Sequence, residues 1–466
     1  MKAKTTVWTF FLLLTIILSA CVPTTFSPPT EIHITDGDRV EQAVVAVDGN
    51  GRSHIAGVVN DRIVYYRTRY GEPLAKFTME MSGSGDNWKQ FDPDIGVETN
   101  GTAYIVWLEQ RGGPEKFACW RDVPLVPPVG GYQKTCVLLN GTNTAGIVKV
   151  VQRGSIVYAV YDQINQNLRI TALFYKDFTH SDNHGLVYDY DYHFESGYVY
   201  GMDMVIDVNG GLHVAILDNY TNTGDPPFTE RLFYRSNVTT DTLGTMTQGM
   251  TIAEGIGLGE DVEPSISIYT DSASEPRIGI ASIWTPSGID DIYIDSCTVN
   301  GCEFVGYHVV GLPSSWNTYS AIEDLEIQGS GEELFLSFIG DDSQSAAPQV
   351  YFTEAFDTTI FMEPSDGSAS YKFDLDMVLL EPRPESPATD EVPIVSWGES
   401  DLVKATYYSA GWLTPAVKVS EDNCLDSLLL GDVGSNGSYY AGVWDACSDT
   451  WFTTQAWTEQ LPLIVK

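Results

Sequence analysis

Five aspartates open apolar runs of similar pattern: Asp94-Ile-Gly-Val, Asp203-Met-Val-Ile, Asp324-Leu-Glu-Ile, Asp376-Met-Val-Leu and Asp426-Ser-Leu-Leu. If each run is the same strand of a repeated unit, the five carboxylates share a phase and can converge. Convergent carboxylates repel, so they raise one another's pKa or recruit a divalent cation such as Ca²⁺ or a basic ligand. Taken singly, each can instead accept backbone N–H bonds and tie one unit to the next. A second group holds three of the seven histidines, His180, His184 and His193, together with Asp182, Asp189 and Asp191. Imidazole and carboxylate suit Zn²⁺. His-x3-His forms a metal pair chiefly on a helix, however, and this stretch has no helical pattern, so a polar connecting loop is the plainer reading.

Other chemistry is absent from the sequence. There is no phosphate-binding glycine loop, no nucleophile elbow, no His-Glu-x-x-His pair and no spaced calcium loop. With 63 Asp and Glu, naming two as a catalytic acid and nucleophile would be arbitrary, because the deciding separation is spatial. No motif requires a cofactor. His54 and His213 stand at one repeat position before alternating apolar residues and read as structural.

The elements that must hold these side chains recur about every 55 residues. An alternating strand, a turn rich in Asn, Asp or Gly and a second strand ending on a bulky residue appear eight times. The second strands are His54–Val58, Tyr104–Trp107, Tyr158–Tyr161, His213–Leu217, Ile278–Trp284, Leu334–Phe338, Pro393–Trp397 and Tyr440–Trp444. Asn100-Gly101, Asn209-Gly210 and Asn436-Gly437 supply left-handed turn conformations. A third strand often pairs aromatic with cation, as in Tyr65-Tyr66-Arg67 and Phe233-Tyr234-Arg235. This pattern predicts an all-β chain: a β-propeller of mostly four-stranded antiparallel sheets, with eight blades preferred over seven. Glu31–Thr35 is expected to complete the last blade and protect its edge. Trp107, Trp284, Trp397 and Trp444 share the strand-end register and are expected to pack between blades. Trp88, Trp316 and Trp412 lie in apparent loops, where an indole can anchor the loop or stack on a sugar.

Forty-three per cent apolar and 19% charged residues are compatible with a large buried core, and a net charge of −38 repels phosphate backbones. Nucleic acid is thereby a poor partner, whereas cations, basic proteins and neutral glycans are not excluded. Lys2 and Lys4 precede the apolar run Val7–Ala20, which is too short to span a bilayer and ends in small residues. Leu18-Ser19-Ala20-Cys21 resembles the bacterial lipobox, so residues 1–20 read as a signal peptide and Cys21 as the lipidated N-terminus. Residues 21–30, rich in Pro and Thr, read as a tether, and residues 31–466 as one propeller domain. The membrane is met only through the lipid anchor, at the cell envelope or surface. The remaining cysteines, Cys119, Cys136, Cys297, Cys302, Cys424 and Cys447, permit three disulfides, with neighbour pairing favoured and an oxidising compartment implied.

The repeats, of a type that runs from an acidic residue through apolar alternation and an Asp/Asn-Gly turn to Trp and then Tyr-Tyr-Arg, resemble the sialidase-like surface propellers of bacteria over roughly residues 40–460. Ser84-Gly-Asp86-Asn-Trp88 is only a fragment of an Asp-box, and Pro276-Arg277-Ile278 only faintly matches the first-arginine segment. That resemblance implies the ring architecture. The arginine triad and the full Asp-boxes of sialidases have no counterpart here, so their chemistry is not carried over. The resulting expectation is a surface-anchored lipoprotein binding an extracellular glycan, peptide or envelope protein at one channel mouth. The alternatives are a carbohydrate-active hydrolase or lyase using channel-facing carboxylates, and a non-catalytic envelope scaffold.

Overall fold

Alternating apolar residues and tight turns do produce strands throughout. A computed structural model describes residues 30–31, 40–69, 75–78, 88–113, 115–125, 134–138, 148–165, 170–178, 183–189, 198–220, 229–236, 248–255, 262–284, 290–299, 307–310, 321–341, 347–356, 370–380, 391–399, 402–409, 412–413, 417–418, 428–436, 439–446 and 449–456. Among these residues there is no helix, and the strands form eight antiparallel sheets. In chain order, blades 1 to 7 have the innermost strands Glu41–Val47, Trp88–Val97, Val148–Arg153, Tyr198–Ile206, Ser265–Thr270, Ala321–Ser330 and Lys372–Leu380. Blade 8 begins with Leu428–Asn436. All eight recurrent segments read from the sequence fall in second strands.

Each innermost strand contacts that of the next blade, and the strand of blade 8 returns to that of blade 1, closing a ring. The ring is a β-propeller. Thr30–Glu31 pairs with Asp449–Ala456 as the outer strand of blade 8, so the first and last described segments share a sheet. That closure begins one residue earlier than expected, and 32–39 lie outside the described residues.

Apolar packing is concentrated in the seams. One cluster joins Tyr65 and Ile63 of blade 1 to Trp107 and Ile105 of blade 2, and another joins Trp397 of blade 7 to Phe335 and Phe352 of blade 6. Trp107 and Trp397 are fully buried, as their shared register predicts, while Trp284 is partly buried. No sheet hides its own faces, so each depends on its neighbours for burial.

Hairpins between first and second strands are set by an acid and a partner six residues on. Asp48 Oδ1 accepts Asn50 N and Arg52 N at 2.8 and 2.9 Å; Asp207 Oδ1 accepts Asn209 N and Gly211 N at 2.6 and 2.9 Å. His213 Nε2 lies 3.1 Å from Asp207 Oδ2, and its Nδ1 lies 2.5 Å from Tyr234 Oη. His54 repeats the arrangement with Asp48 and Tyr65. Both rings are fully buried, which accounts for them as structural residues. Blade 2 substitutes Glu98 and Tyr104, joined at 2.6 Å, and blade 5 substitutes Asp271 and Arg277. Gly101, at φ +88°, makes the blade 2 turn, and a Cβ there would lie 2.9 Å from Asp48 Oδ2.

Candidate functional site

The innermost strands carry the carboxylates, and a bulge decides where they point. Pairing shifts register between Phe91 and Asp94, Ile322 and Asp324, and Phe373 and Asp376, while in blade 4 the shift precedes Asp203 by a few residues. Asp92 and Asp374, inside two of these bulges, adopt positive φ. A bulge bends its strand and re-aims the side chains that follow. The aspartates therefore sit within their strands, not at the openings expected from the sequence, because the strands continue upstream of the bulge.

Asp94, Asp203, Asp324 and Asp376 line one cavity of about 530 Å³ at the ring's axis. Asp426 lies outside the described residues. In blade 8 the residue directly after the bulge is Asp432, so the register matches Asp432 to the aspartates of blades 2, 6 and 7. Four further charged residues line the same cavity and were missed by sequence reading: Lys149, Glu263, Glu323 and Glu326. The signal for Glu326 was available, since it stands two residues after Asp324 on a strand and so shares its face.

Three of the aspartates also join blades. Asp94 accepts Ile95 N at 2.8 Å and Val150 N of blade 3 at 2.7 Å. Asp203 accepts Met204 N at 2.7 Å and Ile266 N of blade 5 at 2.8 Å. Asp324 accepts Leu325 N at 2.9 Å and Leu375 N of blade 7 at 2.8 Å. One oxygen holds the strand's own next N–H and the other holds the neighbouring blade, so convergence and structural bonding coexist.

Burial pushes Asp203 and Asp324 up to about 6 despite these bonds. Glu326 is raised well above the usual carboxylate range by burial and by repulsion from Asp203 and Asp376. Asp94 is also raised by burial, with Lys149 acting in the opposite direction. Lys149 Nζ lies 3.9 Å from Glu263, both half-exposed. The cavity thus gathers seven carboxyls and one ammonium, a charge balance suited to a cationic group.

The histidine-rich segment does not form the loop expected of it throughout. Asn183–Asp189 is the outer strand of blade 3, with His184 opposite Lys176, because Gly185-Leu-Val-Tyr supplies strand-forming residues. His180, Asp182 and His193 lie outside the described residues. Among the described residues, one group within metal-ligand reach is Glu109, Cys119 and Cys136. Cys119 and Cys136 are joined as a disulfide, as neighbour pairing expects, so neither offers a thiolate. Cys297 is also disulfide-bonded; Cys302, Cys424 and Cys447 lie outside the described residues, as do Cys21 and the leader. Trp88 is in a strand, not a loop, with Arg111 and Lys134 set 4.9 and 5.3 Å from its ring centroid. Trp412 likewise lies in a short strand, and Trp316 lies outside the described residues.

No family model and no curated protein matches this chain. Among solved structures, it is similar to an α-L-arabinanase of Penicillium chrysogenum at 11% identity, covering 83% of this chain and 99% of that one, with a TM-score of 0.40. An α-L-arabinofuranosidase of Fusarium graminearum matches at 10% identity over 72% of this chain and all of that one, TM-score 0.40. Prolyl oligopeptidase B of Galerina marginata matches at 9% identity with a TM-score of 0.49; 91% of this chain is covered, and the chain spans 55% of that enzyme. These likenesses concern the propeller fold.

Proposed function

We propose that this chain is an exported, lipid-anchored β-propeller that binds a cationic extracellular ligand, a Lys- or Arg-bearing peptide segment, at the acidic mouth of its channel. The observation that carries the reading is the cavity of about 530 Å³ lined by seven carboxyls and one lysine. A ring of rigid sheets can hold such a site without any catalytic group. The resemblance to sialidase-like propellers contributes the scaffold alone. Anchoring rests on the lipobox at Cys21.

The test is titration of the purified chain with an oligolysine peptide and, separately, with neutral oligosaccharides. Oligolysine should bind saturably and weaken with salt, and Glu323→Gln with Glu326→Gln should loosen it by about tenfold. Binding indifferent to both salt and these substitutions would sink the reading. Cys21→Ser should release the protein from membranes; retention of that variant would remove the anchor.

One observation favours a second reading. Carboxyls raised to about 6 or beyond can serve as the general acid of a carbohydrate-active hydrolase or lyase. Asp203 and Asp324 are committed to backbone N–H groups, leaving Glu326, which accepts Gln328 Nε2 at 3.1 Å, as the candidate acid. Turnover of an oligosaccharide abolished by Glu326→Gln would establish this reading over the binding module.

A further inference from the structure

Blade 2 carries a buried charge paired with two cations, one of which directly precedes its outermost strand. Glu109 has a fully buried side chain. Its Oε1 accepts Arg111 Nε at 2.6 Å, and its Oε2 accepts Gln90 Nε2 at 3.0 Å and Lys134 Nζ at 2.5 Å. Gln90 carries the connection across the seam, because its Oε1 accepts Ile63 N of blade 1 at 2.8 Å. Lys134 directly precedes the edge strand Thr135–Leu138, only four residues long. Such a strand has little to prevent local opening. Cys136, two residues beyond Lys134, stands directly opposite Cys119 and is bonded to it.

Blade 7 solves the same problem without a crosslink. Glu399 follows Trp397 by two residues, as Glu109 follows Trp107, and is also buried. Its cations are Lys404 at 2.9 Å and Lys372 at 3.9 Å. Both belong to strands within the sheet, Leu402–Ser409 and Lys372–Leu380, held by pairing on their own. Only where the lysine directly precedes a short edge strand does a disulfide stand beside it, among the described residues.

From this contrast we propose that the Cys119–Cys136 disulfide is a redox latch on the seam between blades 1 and 2. Oxidised, it seats Lys134 on Glu109; reduced, it frees the edge strand and withdraws that cation. Cys119 is fully buried and Cys136 half-buried, so an external dithiol attacks Cys136 Sγ. The S–S bond breaks with Cys119 as leaving thiolate, and the reagent's second thiol resolves the mixed disulfide. Two electrons and two protons pass to the protein, and the reagent closes to its own disulfide. Removing one partner of a buried ion pair is strongly unfavourable, so the change reaches Gln90 and the blade 1 backbone.

The experiment is acylation of lysine amines in the full-length protein, read peptide by peptide by mass spectrometry, with and without dithiothreitol. Lys134 should react faster by about tenfold or more on reduction while Lys404 does not change, and reoxidation should reverse the effect. Cys136→Ser should reproduce the reduced behaviour without reductant, separating this bond from the one at Cys297. Glu109→Gln should free Lys134 with the disulfide intact. An unchanged Lys134 rate on reduction would overturn the latch, and so would a parallel rise at Lys404, which marks a general structural crosslink. If Cys136→Ser does not fold, the wild-type arm decides alone.

Discussion

Through residue 180, which in sequence falls between the strands Ile170–Asp177 and Asn183–Asp189 of blade 3, the chain carries 17 Lys and Arg against 17 Asp and Glu; from residue 181 onward it carries 8 against 46. One arc of the ring is electrically balanced, and the other holds the whole net charge of −38. Both arcs use the same strand order, the same apolar seams and the same aspartate link between innermost strands. The fold therefore does not need the charge. In the balanced arc, cations are drawn inward, as Lys134 and Arg111 are onto Glu109. In the acidic arc, carboxyls gather at the channel mouth, and burial together with repulsion from Asp203 and Asp376 raises Glu326 well above the usual carboxylate range. A surplus that folding does not use is available for recognising a cation.

The largest test of this contrast is in the balanced arc. Lys134→Met should cost roughly 3 kcal/mol in denaturant unfolding, because it removes one of the two cations paired with a buried carboxylate. A loss below about 1 kcal/mol would show that Arg111 and Gln90 suffice. Next, Asp94→Ala and Asp324→Ala should each cost about 2–3 kcal/mol by leaving N–H groups on two blades unpaired. If the link is common to both arcs, the two losses will agree; a much smaller loss for Asp324→Ala would show that relief of repulsion offsets the broken bonds.

The pH dependence of stability separates the cavity aspartates from the hairpin acids of both arcs. Asp203 and Asp324, raised to about 6, bind protons more readily in the folded state, so their contribution is full below about pH 4 and is lost as pH rises through 6. Burial also tends to raise Asp48, but the His54 contact and two backbone N–H bonds outweigh it and hold this carboxyl at about 2. Its contribution is full above pH 4 and is lost as pH falls through 2. Stability should rise by ~1–2 kcal/mol from pH 7.5 to 5, then decline below pH 3. A flat profile between 7.5 and 5 in thermal unfolding would contradict the strained acidic mouth, and Asp203→Asn with Asp324→Asn should flatten it. The smallest effect belongs to the exposed pair of Lys89 and Asp61, 3.6 Å apart. Lys89→Ala should change stability by less than about 0.5 kcal/mol.

Much of the ring was legible because alternation and turn chemistry act over a few residues. The eight second strands, the turns at Asn100-Gly101 and Asn209-Gly210, and the buried Trp107 and Trp397 are all products of local pattern and shared register. Trp88 was misread because its neighbours Gly85 and Asn87 suggested a loop, while the strand's continuation upstream depends on pairing with Arg111. His184 was misread for the same reason, its strand being held by pairing with Ala172–Asp177.

From sequence alone came the repeating sheet, the shared phase of the aspartates and the division of charge along the chain, since periodicity and charge distribution are properties of residue order. The bulges that turn Asp94, Asp324 and Asp376 toward the axis were decided only in three dimensions, as were the bond from Asp203 to an N–H 63 residues away and the meeting of Lys134 with Glu109. Each depends on where a neighbouring strand lies, and that position follows from closing the ring, a constraint no local stretch of residues contains.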